Sequence, residues 1–237
     1  MSPSSRRAGN WAFWTDPMLH LDGETLAYGK TVVLSQVDFH LRPGERVVLL
    51  GRSGSGKTTL LSAAYARLAD QMSEQIALVP QETGLVPQLS VFHNVYMGRL
   101  DAHGAGYNLL NLIWPQKAQR RQIDEILQQV GLEGLSRQPV AALSGGQKQR
   151  VALARAIHRG GSILVADEPV SAVDERHAAQ LIDTLATRFG TMLLSLHDVA
   201  LARRVATRIV GIKAGRLMID KPAAELSGEE LDALYRP

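Results

Sequence analysis

A chain of 237 residues is long enough for one large α/β domain or two small ones. It has no cysteine, which excludes disulfides and thiolate metal sites, and no apolar run long enough to cross a bilayer, so any work at a membrane requires docking onto another chain. The formal charge of +3 is mild and fits scattered, solvated Lys and Arg better than a dedicated basic surface.

The first 17 residues are polar and then carry Trp11, Phe13 and Trp14. Arg6 and Arg7 are not followed by the apolar core of a signal peptide. The stretch reads equally as a disordered tail or, given its three aromatics, as one that partly packs on the domain. Residues 20–26 and 32–41 read as strands, and from Val37 onward the apolar side chains alternate, as in a half-buried antiparallel strand. Arg42-Pro43-Gly44-Glu45 is a turn into Arg46-Val47-Val48-Leu49-Leu50, a short buried strand. The next stretch, Gly51-Arg52-Ser53-Gly54-Ser55-Gly56-Lys57-Thr58-Thr59, fits G-x-x-x-x-G-K-[ST], and residues 59–68 after it read as a helix. Glycines let the backbone wrap a phosphate, and amides at the helix N-terminus then point at the anion. Lys57 can reach the β- and γ-phosphates and the Thr58 hydroxyl can ligate Mg²⁺.

Residues 76–80 form a further predicted strand ending at Gln81. From about 90 to 137 the pattern turns helical, with Ser90 or Asn94 as a possible cap, a break at Pro115, and an i, i+3, i+4, i+7 stripe of Ile123, Ile126, Leu127 and Val130. Leu143-Ser144-Gly145-Gly146-Gln147 follows, then a helix over 151–157. Residues 162–166 form a continuous apolar strand running into Asp167-Glu168-Pro169; 178–189 is helical; 191–196 is a buried strand ending at His197. A helix over 199–205, a hairpin of 209–212 with 216–219, and a short acidic helix over 227–235 close the chain. Strands alternating with helices predict a mostly parallel sheet. Gly51, Gln81, Asp167 and His197 each follow directly on a predicted strand. Ligands in such sheets sit at the carboxyl ends of the strands, so one site can collect all four.

Together, the phosphate loop, the Leu143–Gln147 stretch with the following Lys148-Gln149-Arg150-Val151-Ala152-Leu153-Ala154-Arg155-Ala156, Asp167-Glu168-Pro169 and His197 resemble the ATPase subunits of ATP-binding-cassette transporters. The resemblance runs from about residue 20 to the end. It implies a P-loop NTPase of α/β class, a single domain over 18–237. Its core would be a RecA-like, mostly parallel sheet, carrying an antiparallel β subdomain and a helical subdomain inserted at about 90–160. By that resemblance Glu168 polarises the attacking water, His197 sits near the γ-phosphate, and Gln81 senses Mg²⁺ and the γ-phosphate and links to the transport partner. ATP would be held by Tyr28 stacking on adenine, by Gly51, Arg52, Ser53, Gly54, Ser55, Gly56, Lys57, Thr58 and Thr59, and by Ser144, Gly145, Gly146, Gln147 and Asp174 reaching a nucleotide on the opposite subunit. Mg²⁺ would take Thr58, Gln81 and Asp167. Ser171-Ala172-Val173-Asp174 matches the loop that crosses between subunits, with Val173 in place of the usual leucine.

The same resemblance implies a head-to-tail homodimer closed on two ATP molecules, integral membrane permease subunits and an external substrate-binding protein, at the cytoplasmic face of the bacterial inner membrane. Asn94 to Leu100, the apolar insertion from Tyr107 to Trp114, Arg208 to Ile212 and Leu231 to Arg236 look most like the ATPases of phosphonate-type importers. The alternatives are a soluble cassette ATPase of carbon–phosphorus lyase, repair or translation, or a motor for another cargo such as amino acids or lipoproteins. The Tyr107–Trp114 stretch suits a docking surface or subdomain core equally. The Lys57–Gln81 segment is short for the family by roughly a dozen residues, which predicts a trimmed sheet beside Gln81.

Overall fold

Burial divides the strands into two kinds. The computed structural model describes residues 16–236; Trp11, Phe13 and Trp14 lie outside them. β1 (Leu19–Tyr28) and β2 (Thr31–Leu41) form an antiparallel pair. In β2 Leu34, Val37, Phe39 and Leu41 are buried, whereas Val32 and Asp38 are exposed, the mark of a sheet wet on one face. β3 (Arg46–Leu50), β4 (Ile76–Val79), β5 (Ile163–Asp167), β6 (Thr191–Ser195), β7 (Arg208–Lys213) and β8 (Arg216–Pro222) form a six-stranded sheet in the order β4-β5-β6-β3-β7-β8. All its neighbours are parallel except the β7–β8 hairpin.

The inner strands are apolar through their middles because both faces are covered, with polar residues only at their ends. Val48, Leu50, Leu164 and Ala166 point into one core, and Val47, Leu49, Ile163 and Val165 into the other. α1 (Lys57–Met72) and the β1–β2 sheet close the second core through Leu60, Leu61, Ala64 and Leu68. The first core is larger. It takes in α2 (Val91–Tyr96), α4 (Lys117–Gln129), α5 (Gly145–Arg159), α6 (Glu175–Arg188), α7 (Val199–Val205) and α8 (Gly228–Tyr235). Burying one such Leu or Ile contributes about 1.5–3 kcal/mol. α3 (Ala105–Ile113) stands apart: among its residues only Asn111 is buried. The subdomain-core reading of Tyr107–Trp114 is therefore corrected; its leucines do not pack inward.

Two helices start well before the sequence pattern places them. α5 starts at Gly145, well before the apolar period begins at Val151, because Ser144 caps it and draws both glycines into the first turn. α6 starts at Glu175 because the Asp174 side chain accepts a hydrogen bond from the His177 amide. The link from α1 to β4 is a single 3₁₀ turn, Ser73–Gln75, and β4 lies at the sheet edge, in keeping with the trimmed segment. The carboxyl ends of β3, β5 and β6 lie side by side, with β4 beside β5, so the loops after these four strands share one edge.

Candidate nucleotide site

The phosphate loop is held open by what surrounds it. Gly56 is the N-cap of α1, with φ 110° and no side-chain hydrogen bond at the helix start. A Cβ there would come within 2.7 Å of the Leu34 side chain, so only glycine lets β2 pack this close. The first-turn amides of α1 are thus left for a ligand, at the positive end of the helix dipole. Lys57 is buried, and its Nζ donates to the Gly51 carbonyl at 2.9 Å and the Arg52 carbonyl at 3.1 Å. Burial pulls its ammonium below the ordinary lysine range, opposed by the carboxylates of Glu168 and Asp167. The Ser55 hydroxyl is buried with no partner among the described residues, an orphan that a phosphate oxygen would satisfy. Arg52, Ser53 and Gly54 are exposed at the rim, and Thr59 is half-buried.

Asp167 ends β5, buried, with both carboxylate oxygens engaged. Thr58 Oγ1 donates to Oδ2 at 2.6 Å, and the Ser195 hydroxyl, at the end of β6, donates to Oδ1. Glu168 has a left-handed backbone, φ 49°, a conformation that costs a non-glycine residue on the order of 1 kcal/mol. Three contacts hold it there. Its amide donates to Ser195 Oγ at 2.9 Å, its carbonyl accepts from Gln149 Nε2 at 2.6 Å, and its carboxylate pairs with His197 Nε2. Gln81 is exposed after β4, and a cleft of about 140 Å³ is lined by Gln81, Thr58 and Asp167. The Thr58 hydroxyl and Asp167 carboxylate are hard oxygen donors already in contact, which fits a Mg²⁺ ion that completes its shell with phosphate oxygens and water.

The N-terminus of α5 is built differently. Ser144 Oγ accepts from the Gln147 amide at 3.3 Å, and the Gln147 side chain accepts from the Ser144 amide at 2.9 Å. Gly146 passes so close to the next loop that a Cβ would sit 2.5 Å from the Ala172 carbonyl oxygen. Gln149 completes the clamp: Nε2 donates to Ser171 Oγ at 3.1 Å as well as to Glu168, and Oε1 accepts from the Ala172 amide at 2.8 Å. Gln149 and Ser195 had no role in the sequence reading. The available signals were a hydroxyl at the end of an otherwise apolar strand and an amide in a helix that buries it.

The structure thus gathers the loop 51–58 with Gln81, Asp167, Glu168 and His197 at one sheet edge. Among the described residues, no hydrogen bond joins Tyr28, residues 144–147 or Asp174 to the loop 51–59. Tyr28 is 81% exposed at the end of β1. Asp174 is exposed, caps α6 and pairs with His177 Nδ1 at 2.8 Å.

Comparison with known proteins follows the same lines. The family model for ABC transporters matches residues 34–171. The chain is 38% identical to the Phosphonates import ATP-binding protein PhnC of Frankia casuarinae, over 92% of this chain and 96% of that protein. It is 36% identical to the Hypophosphite import ATP-binding protein HtxD of Stutzerimonas stutzeri, over 93% and 72%. Among solved structures it is similar to the dimeric bacterial ABC transporter cassette MJ0796, with a TM-score of 0.74 and 26% identity over 86% of this chain and 98% of that one. The order of the motifs, the sheet edge that collects them and the extent of these matches give one conclusion: the chain belongs to the ABC transporter family, as an ATP-binding cassette ATPase.

Proposed function

We propose that this chain is the motor of an importer for phosphonates or chemically related phosphorus compounds, hydrolysing ATP at the edge formed by β3, β5 and β6. The observation that carries the reading is the position of Glu168: it is anchored by Ser195 and Gln149, paired with His197, and adjacent to the Asp167–Thr58 contact. The relatives' import functions supply the cargo class.

In this reading the α1 amides and Lys57 bind the phosphates. Lys57 exchanges its two carbonyl partners for β- and γ-phosphate oxygens, and Tyr28 offers its exposed ring to the adenine. Thr58, Asp167 and Gln81 would hold Mg²⁺, which would neutralise phosphate charge. The Glu168 carboxylate orients the attacking water and accepts its proton, and His197 positions that carboxylate and the γ-phosphate. Ser144 uses its oxygen as the α5 cap but keeps its O–H proton, which is free to donate to a γ-phosphate presented by a second copy, together with the Gly145 and Gly146 amides, while Gln147 holds Ser144 in place and offers its side-chain Nε2. Asp174 joins that contact from the neighbouring loop. Two copies then close head to tail around two ATP molecules. The unit spans 18–237, with residues 90–160 turned towards integral membrane subunits at the cytoplasmic face of the inner membrane, and an external binding protein selects the cargo. The dimeric cassette among the solved structures supports the pairing, and the importer relatives support the permease.

The test is to purify the chain from native membranes in mild detergent with its partners, reconstitute it, and measure phosphate release on adding binding protein loaded with an alkylphosphonate. Stimulated hydrolysis, lost by about a hundredfold or more in Glu168→Gln while ATP binding persists, is the expected outcome. Co-purification with a soluble lyase, a ribosome or DNA, or no response to phosphonate, overturns it.

A further inference from the structure

Two buried hydroxyls with no hydrogen-bond partner among the described residues lie against Gly51, the first residue of the phosphate loop. One is Ser55 Oγ, 2.8 Å from where a Cβ on Gly51 would stand, and a phosphate oxygen accounts for it. The other is the phenol of Tyr235, the last residue of α8. Its ring is half-buried, but its oxygen is closed off from solvent. A buried phenol left unpaired costs the fold stability, and nothing in the nucleotide chemistry described so far uses it.

α8 is held from three sides. Arg203, on α7, donates to the Leu226 carbonyl at 2.8 Å just ahead of the helix. Lys221, on β8, pairs with Glu230, and Lys213, the last residue of β7, donates to the Ala233 carbonyl at 2.7 Å. Ser227 and Glu230 cap the helix reciprocally, and Leu231 and Leu234 are buried. Lys213 follows Ile212, whose carbonyl oxygen would come within 2.4 Å of a Cβ on Gly51. Adjacent residues of β7 therefore fix the last turn of α8 and the start of the loop. The Tyr235 oxygen is brought to the Gly51 backbone by this arrangement. Burial raises the phenol above its ordinary value of 10, and the Gly51 backbone opposes that rise. A backbone group that favours a phenolate is an N–H, so the amide of Gly51 faces the oxygen. The approach stops short of a formed hydrogen bond, which leaves the oxygen unpaired.

Lys57 holds Gly51 from the other end, donating to its carbonyl at 2.9 Å. When Lys57 moves to phosphate, Gly51 loses that hold just as the loop must keep its shape. A phenol already set against the amide can replace it after a small shift, and the buried oxygen then gains the partner it lacks.

We propose that Tyr235 is a positioning residue of the nucleotide site, whose hydroxyl engages the Gly51 amide once Lys57 has moved onto phosphate and keeps the loop in its nucleotide-bound form. This role rests on nucleotide binding by residues 51–58 and needs neither the cargo nor the permease.

The experiment compares the full parent chain with Tyr235→Phe, which removes one oxygen and keeps the ring. MgADP is the probe, because it loads the loop without turnover. By calorimetry the variant is expected to bind MgADP about fivefold more weakly, the worth of one ordinary hydrogen bond. Without nucleotide it is expected to melt at the parent temperature or above, since an unpaired buried oxygen has been removed. MgADP should then raise its melting temperature less than the parent's. In ATP turnover KM should rise about fivefold with kcat within about twofold, as for a group that serves binding alone. Equal MgADP affinity in parent and variant overturns the proposal while leaving the nucleotide site intact. A variant that melts lower without nucleotide also overturns it, because the hydroxyl is then part of the resting fold. A parent that fails to bind MgADP overturns the nucleotide site and the role of Tyr235 together.

Discussion

Two helices in this molecule begin on glycine-rich sequence, and they solve the same problem in opposite ways. α1 enters through Gly56 in a left-handed conformation, with no side chain on its first amides. α5 enters through Ser144 and seals itself with a reciprocal Ser144–Gln147 capping box. An uncapped helix start leaves several donors unsatisfied and is stable only where packing elsewhere holds it, here Leu34 pressing on Gly56 and Lys57 lying across the loop. A capped start is stable alone and offers a ligand less. In the proposed reading, the contrast separates a site that waits for phosphate within its own chain from one that keeps its form until another chain brings phosphate to it.

The largest test of this contrast removes the cation from the open end. Lys57→Ala is expected to weaken ATP binding by about 3 kcal/mol, roughly a hundredfold by calorimetry, because charge-assisted phosphate contacts are lost and nothing replaces them. Unchanged affinity would mean the amides suffice. A second test addresses the far end of α5, where His158 is buried with neither ring nitrogen bonded among the described residues. Burial, with smaller contributions from Arg99 and His103, lowers its pKa to about 4 from 6.5. Below pH 6.5 the unfolded chain therefore binds the extra proton and the folded one does not. The stability this histidine provides is complete above pH 6.5 and is lost as pH falls towards 4, by roughly 2–3 kcal/mol. Urea melts across that range should show a shallower acid slope for His158→Phe than for the parent. The smallest effect belongs to the closed end. Ser144→Ala should cost about 1 kcal/mol of stability by denaturant titration, while ATP affinity of the lone chain stays the same. A loss of affinity would show that α5 reaches its own loop after all.

These two helices also show what a sequence discloses. The α1 loop was legible because its function is written in backbone: glycines at fixed spacing, between a five-residue apolar strand and a helix, leave few other conformations. The start of α5 was hidden by its glycines, although Ser144 and Gln147 stand at the spacing of a capping box. Gln149 and Ser195 act only across the fold, on Glu168, Ala172 and Asp167, so no local pattern announces them. For α3 the period gives a stripe of leucines but not its direction. Hydrophobicity alone turns that stripe inward; Asn108 and Asn111 turn it outward.

Glu168 keeps its left-handed backbone although glycine would adopt it without steric strain. That choice makes the proposed catalytic carboxylate a small, standing tax on the fold, and in that reading it sets stability against turnover at a single position. Glu168→Gly should melt at a higher temperature, by a few degrees on the order of 1 kcal/mol, and should hydrolyse almost no ATP. A collection of variants selected for heat resistance alone would be expected to drift towards glycine here and lose its motor, so thermostability screens of this protein need hydrolysis as a second criterion.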